Sequence, residues 1–99
     1  MPRETLRVVA HLVAKPDKVT ELRDLLAGLI TPTRAEPGCI TYELLQNQEH
    51  PTEFTFVEEW TSGSALDDHF TTEHIKDALS KTPDLLAVEL DLRKYDLIG

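Results

Sequence analysis

Residues 36–60 constrain the fold more than any other stretch, because they hold two strand-like runs separated by polar residues. A Glu-Pro-Gly turn opens the stretch at residues 36–38, and proline and glycine are unfavourable inside helices and strands. The runs CITYELL at 39–45 and FTFVEEW at 54–60 are rich in β-branched and aromatic residues. This pattern predicts a β-hairpin with a long polar loop.

The second run places a carboxylate among aromatic side chains. Successive side chains in a strand point to opposite faces. One face therefore carries Phe54, Phe56, Glu58 and Trp60. Burying a charge without a partner is costly, so a strand with a purely structural role does not need Glu58 at this position.

The totals describe one domain with an acidic surface. The 99 residues carry a formal net charge of -8, with 40% hydrophobic and 28% charged residues. A chain of this length builds one core, and the negative charge disfavours nucleic acid and anionic membranes as partners. The single cysteine, Cys39, cannot form an internal disulfide. With no apolar run typical of a signal peptide or membrane span, we expect a cytoplasmic protein.

Periodicity predicts a strand and a helix before the hairpin. Residues 6–14 form a strand that is mostly apolar on both faces, which indicates cover on both sides. Asp17 is expected to cap a helix whose apolar residues recur from 19 to 30 at helical spacing. Pro32 is expected to kink or end this helix, with one further turn beyond it.

The segment after the hairpin is predicted to be helical and then to return as a strand. Ser64, with Asp67 in capping-box-like spacing, is expected to cap a short helix over residues 65–70. A further helical segment covers residues 73–81, and residues 85–92 form the last long strand. The order β-α-β-β-α-β is that of a ferredoxin-like α+β fold, an antiparallel sheet with both helices on one face, over residues 1–99 as a single domain.

The second face of this sheet needs a cover. The first strand and the hairpin look apolar on both faces, whereas the helices cover one. A large exposed apolar patch is rare on a small monomer. We therefore predict a homodimer in which two sheets pack face to face.

Several short motifs follow one another along the chain: RAEPGC at 34–39, Tyr42-Glu43, Pro51, FxFxExW at 54–60, SALxxH at 64–69, and His74. Together they resemble the antibiotic biosynthesis monooxygenase (ABM) domain, in its bacterial quinol monooxygenase-like branch. The resemblance implies a dimeric α/β barrel with a pocket in each subunit between sheet and helices. For the best-known members it also implies oxygenation of phenols or quinols with O2, without metal, flavin or haem as cofactor.

The resemblance leaves other activities to weigh. Haem-degrading members look to have a tryptophan at the position of His69 and a histidine at that of Leu79, so haem degradation is disfavoured here. Another member isomerises a phosphorylated signalling metabolite, which requires a cationic cradle. The candidates for that cradle are Arg7, Arg34, Lys76 and Arg93. A third alternative is a non-catalytic dimer that binds a small ligand.

His69 is the first candidate for a catalytic base, because histidine titrates near working pH and a phenol must lose its proton before it reacts with oxygen. The alternative is a hydrogen-bonded packing role. Tyr42 is expected to donate a hydrogen bond to the substrate or to cap the core. Glu58 is expected to orient His69, or to pair with Arg34 or with an arginine of a second subunit.

Four further residues are candidates for the substrate pocket: His11, Phe56, Trp60 and His74. His11 enters either the pocket or the space between two subunits, and His74 lines the pocket or is exposed on its helix. Phe56 and Trp60 form an aromatic wall or belong to the core. The histidines lack a recognised metal spacing, so no metal site is predicted unless tertiary contacts create one.

Overall fold

The computed structural model describes residues 5–99 and contains one four-stranded antiparallel sheet in the order β2-β3-β1-β4. The elements are β1 (Leu6–Val13), α1 (Val19–Ala27), α2 (Ile30–Arg34), β2 (Cys39–Gln46), β3 (Glu53–Trp60), α3 (Gly63–His69), α4 (Glu73–Lys81) and β4 (Asp91–Tyr95). A 3-10 turn at Thr82–Asp84 follows α4. This arrangement confirms the ferredoxin-like fold that the element order predicts.

The core lies between the sheet and the helices, and the two inner strands form its floor. Strand β3 pairs with β1 on one side and with β2 on the other. Its alternate residues face the helices and are buried: Phe54, Phe56, Glu58 and Trp60. From β1, Val8, Ala10 and Leu12 point the same way, and Leu22 and Leu26 of α1 pack onto this surface. The predicted face that carries Glu58 among three aromatic residues is confirmed.

The first helical region breaks earlier than Pro32. Helix α1 ends at Ala27, and the short helix α2 begins at Ile30, so the break falls at residues 28 and 29. Pro32 lies in the first turn of α2, where a missing N–H leaves no intrahelical hydrogen bond unmade. The prediction that Pro32 ends or kinks the helix is therefore wrong. No helix within residues 5–99 has the length and apolar character needed to cross a membrane.

Two predicted helix caps are also displaced. Lys18 precedes α1 and makes no side-chain cap, so Asp17 is not the capping residue. Helix α3 begins two residues before the predicted start, and Ser62 Oγ accepts a hydrogen bond from the Ala65 N–H at 3.1 Å. Ser64 therefore lies inside the helix. The bounds of α4 match the prediction.

The last strand begins later than predicted. Residues 85–92 were expected to form it, whereas β4 starts at Asp91 and pairs with β1. Leu86 forms only an isolated bridge with Ala14, and Leu85 is buried in the core. The segment before β4 is therefore apolar because it packs against the core. It does not belong to the strand, which begins only where the chain pairs with β1.

The sheet face away from the helices is mixed in character. It carries Val9, Val13 and Val57 beside Arg7, His11 and Glu59, all of them partly buried. Arg7 Nη2 lies 3.4 Å from Glu59 Oε1. This face is therefore more polar than the apolar second face that the sequence pattern predicts.

Gly38 carries a conformational requirement that can be tested. Its φ is 88°, and a Cβ there would lie 2.6 Å from Ala65 Cβ and 2.8 Å from Thr61 Oγ1. We expect Gly38→Ala to lower the free energy of unfolding by ~2 kcal/mol or more, through backbone strain and overlap. Urea unfolding followed by circular dichroism measures this change.

Gly63→Ala is the matched control, because a Cβ at Gly63 meets no atom within 4 Å. It should shift the free energy of unfolding by no more than ~0.5 kcal/mol. Equal stability of the two variants would contradict the strain at Gly38.

Candidate active site

A small cavity lies between the helix-facing side of the sheet and the helices. Its volume is about 50 Å³. Side chains from β1, β2, β3, α1, α3, α4 and the segment before β4 line it, and most are aliphatic or aromatic. The polar side chains in the lining are Tyr42, Glu58, His69 and Thr82. The cavity is thus an apolar space with a few polar groups at its wall, as is usual for small-molecule sites.

The fold brings four of the predicted site residues to this cavity: His69, Tyr42, Glu58 and Phe56. Tyr42 and Glu58 lie opposite each other in the β2–β3 pairing, so strand register places them together. The rings of Tyr42 and Phe56 stack with centroids 4.7 Å apart. His69 reaches the group from the end of α3, and its ring centroid lies 5.9 Å from that of Tyr42.

His69 is a buried imidazole with one strong hydrogen-bond partner. Its side chain is 4% exposed, and Nδ1 lies 2.8 Å from Glu36 Oε2. Burial lowers the pKa of His69 below the usual range, although the hydrogen bond that Nδ1 makes to the Glu36 carboxylate opposes this shift. The lowered pKa favours the uncharged imidazole, which is the form that can accept a proton.

Glu36 is the residue that sequence reasoning missed. The sequence pattern places it in a turn and in the RAEPGC motif without a role of its own, yet its side chain is 10% exposed and contacts two histidines. His74 Nε2 lies 2.7 Å from Glu36 Oε2, the same oxygen that His69 contacts. These partners are 33 and 38 residues away along the chain. The available signal was the position of Glu36 within the RAEPGC motif.

Glu58 has a different partner from those predicted. Its Oε1 accepts a hydrogen bond from Trp60 Nε1 at 2.8 Å, because residues two apart share a strand face. Arg34 instead donates to the backbone carbonyl of Tyr42, with Nη2 at 2.9 Å. Burial raises the pKa of Glu58 to about 7, although the Trp60 hydrogen bond favours the charged form. Within residues 5–99, Glu58 makes no hydrogen bond to Arg34 or to His69, and its predicted pairing with an arginine of a second subunit stays a prediction.

Tyr42 is 3% exposed, and burial raises the pKa of its phenol well above the usual range. The Glu58 carboxyl group adds to this shift. The hydroxyl group therefore stays protonated and can donate a hydrogen bond at the cavity wall.

Three predicted pocket residues do not line the cavity: His11, Trp60 and His74. His11 lies between Ala10 and Leu12, which face the cavity, so strand alternation sends it to the opposite face. There its Nδ1 lies 3.1 Å from Thr55 Oγ1. Trp60 is fully buried behind the wall, with its ring centroid 4.7 Å from that of His69.

His74 is partly exposed and is linked to the cavity through Glu36 and then His69, of which only His69 lines it. Together, Glu36, His69 and His74 offer three donor atoms that lie within 4.8 Å of one another, a group able to hold a metal ion. Tertiary contact creates this group, since the sequence spacing does not indicate it. The prediction that the protein has no metal site stays a prediction.

The chain is similar to a known protein family and to several of its relatives. The family model described as "Antibiotic biosynthesis monooxygenase" matches residues 5–81. The chain is 37% identical over 90 residues to the uncharacterized protein sll1783 of Synechocystis, covering 91% of this chain and 61% of that protein's length. It is also 37% identical over 79 residues to "Putative monooxygenase Rv0793" of Mycobacterium tuberculosis, covering 80% of this chain and 77% of that protein.

Solved structures match over almost the full chain. The structure of Rv0793 superimposes with a TM-score of 0.91 at 30% identity, covering 96% of each chain. The structure of PA3566 from Pseudomonas aeruginosa superimposes with a TM-score of 0.92 at 28% identity, covering 97% of this chain and 96% of that one. Because the family model spans more than half of the sequence, this chain belongs to the antibiotic biosynthesis monooxygenase family.

Proposed function

We propose that the protein is a cofactor-independent monooxygenase that oxidises a quinol or polycyclic phenolic small molecule with O2. The observation that carries this proposal is a buried imidazole at the wall of an apolar cavity, His69, whose pKa burial lowers. Membership of the family and the name of the M. tuberculosis relative support a monooxygenase.

The reaction begins with proton transfer. His69 accepts the hydroxyl proton of the substrate, and the electron-rich anion then reacts with O2. One oxygen atom forms a bond to a ring carbon, and the other leaves as water together with two hydrogens of the substrate. A phenol with a pKa of ~10 costs about 4 kcal/mol to ionise at pH ~7, and a positioned base and hydrogen-bond donors can supply this.

Tyr42 and Glu58 assist in different ways: Tyr42 stabilises the negative charge that develops on the substrate, and Glu58 adds little negative charge of its own. The protonated hydroxyl of Tyr42 can donate to the developing oxyanion. Since the pKa of Glu58 is raised to about 7, its carboxyl group is largely protonated just below neutral pH. It then adds little repulsion against the anionic substrate.

Access to the cavity limits what can bind. Pockets for drug-sized ligands are ~300–1,000 Å³, far larger than the 50 Å³ of this cavity. A bicyclic quinol therefore enters only if the partly exposed lining residues Phe70, Leu79 and Leu90 move aside. The small volume favours one alternative, a non-catalytic dimer that binds a small ligand.

The isomerase alternative has no support in the geometry of the cavity. A phosphorylated metabolite would need cationic side chains, and no lysine or arginine within residues 5–99 lines this cavity. Arg7 and Arg93 instead pair with neighbouring carboxylates. We therefore do not propose this activity.

Assembly and location are further parts of the proposal. The mixed sheet face around Val9, Val57 and Arg7 is proposed to pack against a second copy, forming the homodimer. Sedimentation velocity tests this, and a particle of single-chain mass at micromolar concentration would contradict it. The cytoplasmic location stays a prediction.

His69→Ala tests the assignment of the base. Oxygen consumption is followed with a panel of quinols and polycyclic phenols. We expect the variant to lower kcat by ~100-fold or more, because the proton acceptor is removed. His50→Ala is the control, since His50 is exposed in the β2–β3 loop and should leave activity unchanged. Absence of oxygen uptake above the background across the panel would count against the function itself.

Glu58→Gln tests the raised pKa through stability. The pKa of Glu58 is about 7 in the folded protein, against 4.5 for a glutamate side chain free in water. The folded state therefore keeps a proton that the unfolded chain loses above pH ~4.5, so the stabilising contribution falls as pH rises from ~4.5 to ~7 and is lost above the folded pKa. The total loss is about 3 kcal/mol.

The side-chain amide of Glu58→Gln still offers an acceptor oxygen to Trp60, but it does not titrate. Between pH ~4.5 and ~8, the free energy of unfolding of this variant should fall by about 3 kcal/mol less than that of the wild type. Chemical denaturation at a series of pH values measures this difference, with Glu49→Gln in the exposed loop as the control. Parallel pH profiles for Glu58→Gln and wild type would disprove the assigned pKa.

A further inference from the structure

We propose that Glu36 is a positioning residue that holds His69 with its proton on Nδ1, so that the unprotonated Nε2 faces the cavity. The role of Nε2 as the base rests on the proposed function. The tautomer itself follows from hydrogen bonds outside the cavity and can be measured without any substrate.

Thr72 provides the first step of the argument. Its hydroxyl group donates to the backbone carbonyl of His69, with Oγ1 2.7 Å from that oxygen. The single hydroxyl proton is thereby used. His74 Nε2 lies 3.3 Å from the same Oγ1, so at this contact the threonine oxygen accepts and the histidine nitrogen donates. His74 therefore carries a proton on Nε2.

The second step concerns the Glu36 carboxylate. The single Nε2–H of His74 is shared between Thr72 Oγ1 at 3.3 Å and Glu36 Oε2 at 2.7 Å, so Oε2 acts as an acceptor at the shorter contact. His69 Nδ1 contacts the same oxygen at 2.8 Å and Oε1 at 3.1 Å. Because Oε2 already accepts a hydrogen bond from His74, it has no proton to give, so His69 Nδ1 on the same oxygen is also a donor. Both contacts are largely shielded from water, which strengthens them.

The third step concerns the other ring nitrogen of His69. An uncharged imidazole has one N–H donor and one acceptor nitrogen. With the proton on Nδ1, Nε2 holds the free electron pair. Among residues 5–99 it has no hydrogen-bond partner, and His69 lines the cavity. The hydrogen bonds of Glu36 thus select the form of His69 that can accept a proton from a guest.

A metal ion held by Glu36, His69 and His74 is the competing explanation for this cluster. Histidines that bind metal almost always donate their second ring N–H to an acceptor. Within the described part of the chain, neither His69 Nε2 nor His74 Nδ1 has such a partner. The three side chains instead satisfy one another, so the hydrogen-bonded arrangement is the better supported one.

The test uses long-range proton–nitrogen NMR correlation on protein with 15N-labelled histidine at pH ~7.5. The His69 signals are assigned by their loss in His69→Ala. In the wild type we expect the Nδ1 shift typical of a protonated nitrogen and the Nε2 shift typical of an unprotonated one. A proton on Nε2 would overturn the proposal. So would stoichiometric metal in the purified protein, measured by mass spectrometry, together with a metal-shifted Nδ1 signal.

Glu36→Gln gives the second readout. The uncharged amide has one acceptor oxygen and cannot receive two N–H donors as well as the carboxylate does. We expect the His69 tautomer ratio to fall about tenfold, whereas Glu49→Gln keeps the wild-type ratio. Thermal unfolding confirms that each variant is folded. An unchanged ratio in folded Glu36→Gln would contradict the positioning role.

An activity arm separates this inference from the proposed function. If oxygen uptake is found, Glu36→Gln should lower kcat at least tenfold with little change in KM, because the base is altered and the cavity wall is not. Uptake that is unaffected by the variant would overturn the positioning role. If His69 shows the expected tautomer but no oxygen uptake is found, the positioning role of Glu36 is supported and only the proposed monooxygenase function is contradicted.

Discussion

The alternation of side chains along β1 and β3 is the constraint on which the rest of the structure depends. These two inner strands pair in one register, and one face of each is buried under the helices. Every second residue must then tolerate an apolar environment. Glu58 occupies such a position, so the same rule that builds the core also places a carboxyl group at the cavity wall.

Two ionisable side chains in this apolar region each have a hydrogen-bond partner, and these pairs define the candidate site. Glu58 is held by the indole N–H of Trp60, and His69 is held by Glu36. Burial raises the pKa of Glu58 and lowers that of His69, which favours the uncharged form of each. The apolar surroundings therefore disfavour charge on both groups at the wall.

Local sequence patterns predicted the type and order of most elements, but they were poorer at locating element ends. The hairpin and α4 follow from strong periodicity, whereas Ser62 caps α3 in place of Ser64. β4 was misplaced because the segment before it is apolar for a different reason. Leu85 is buried in the core, and only residues from Asp91 onward reach the edge of β1. An apolar sequence pattern indicates which residues are buried. It does not indicate which strand of the sheet has an unpaired edge that a further strand can join.

The sequence alone determined the fold class, the family and three of the polar cavity residues: Tyr42, Glu58 and His69. Those conclusions rest on periodicity and short motifs, which are local properties of the chain. The partners of these residues were decided by tertiary structure. Glu36 meets His69 and His74 across 33 and 38 residues, and His11 is turned to the far face by its place in the strand. Hydrogen bonds of this kind form only after the helices dock on the sheet, so no local pattern records them.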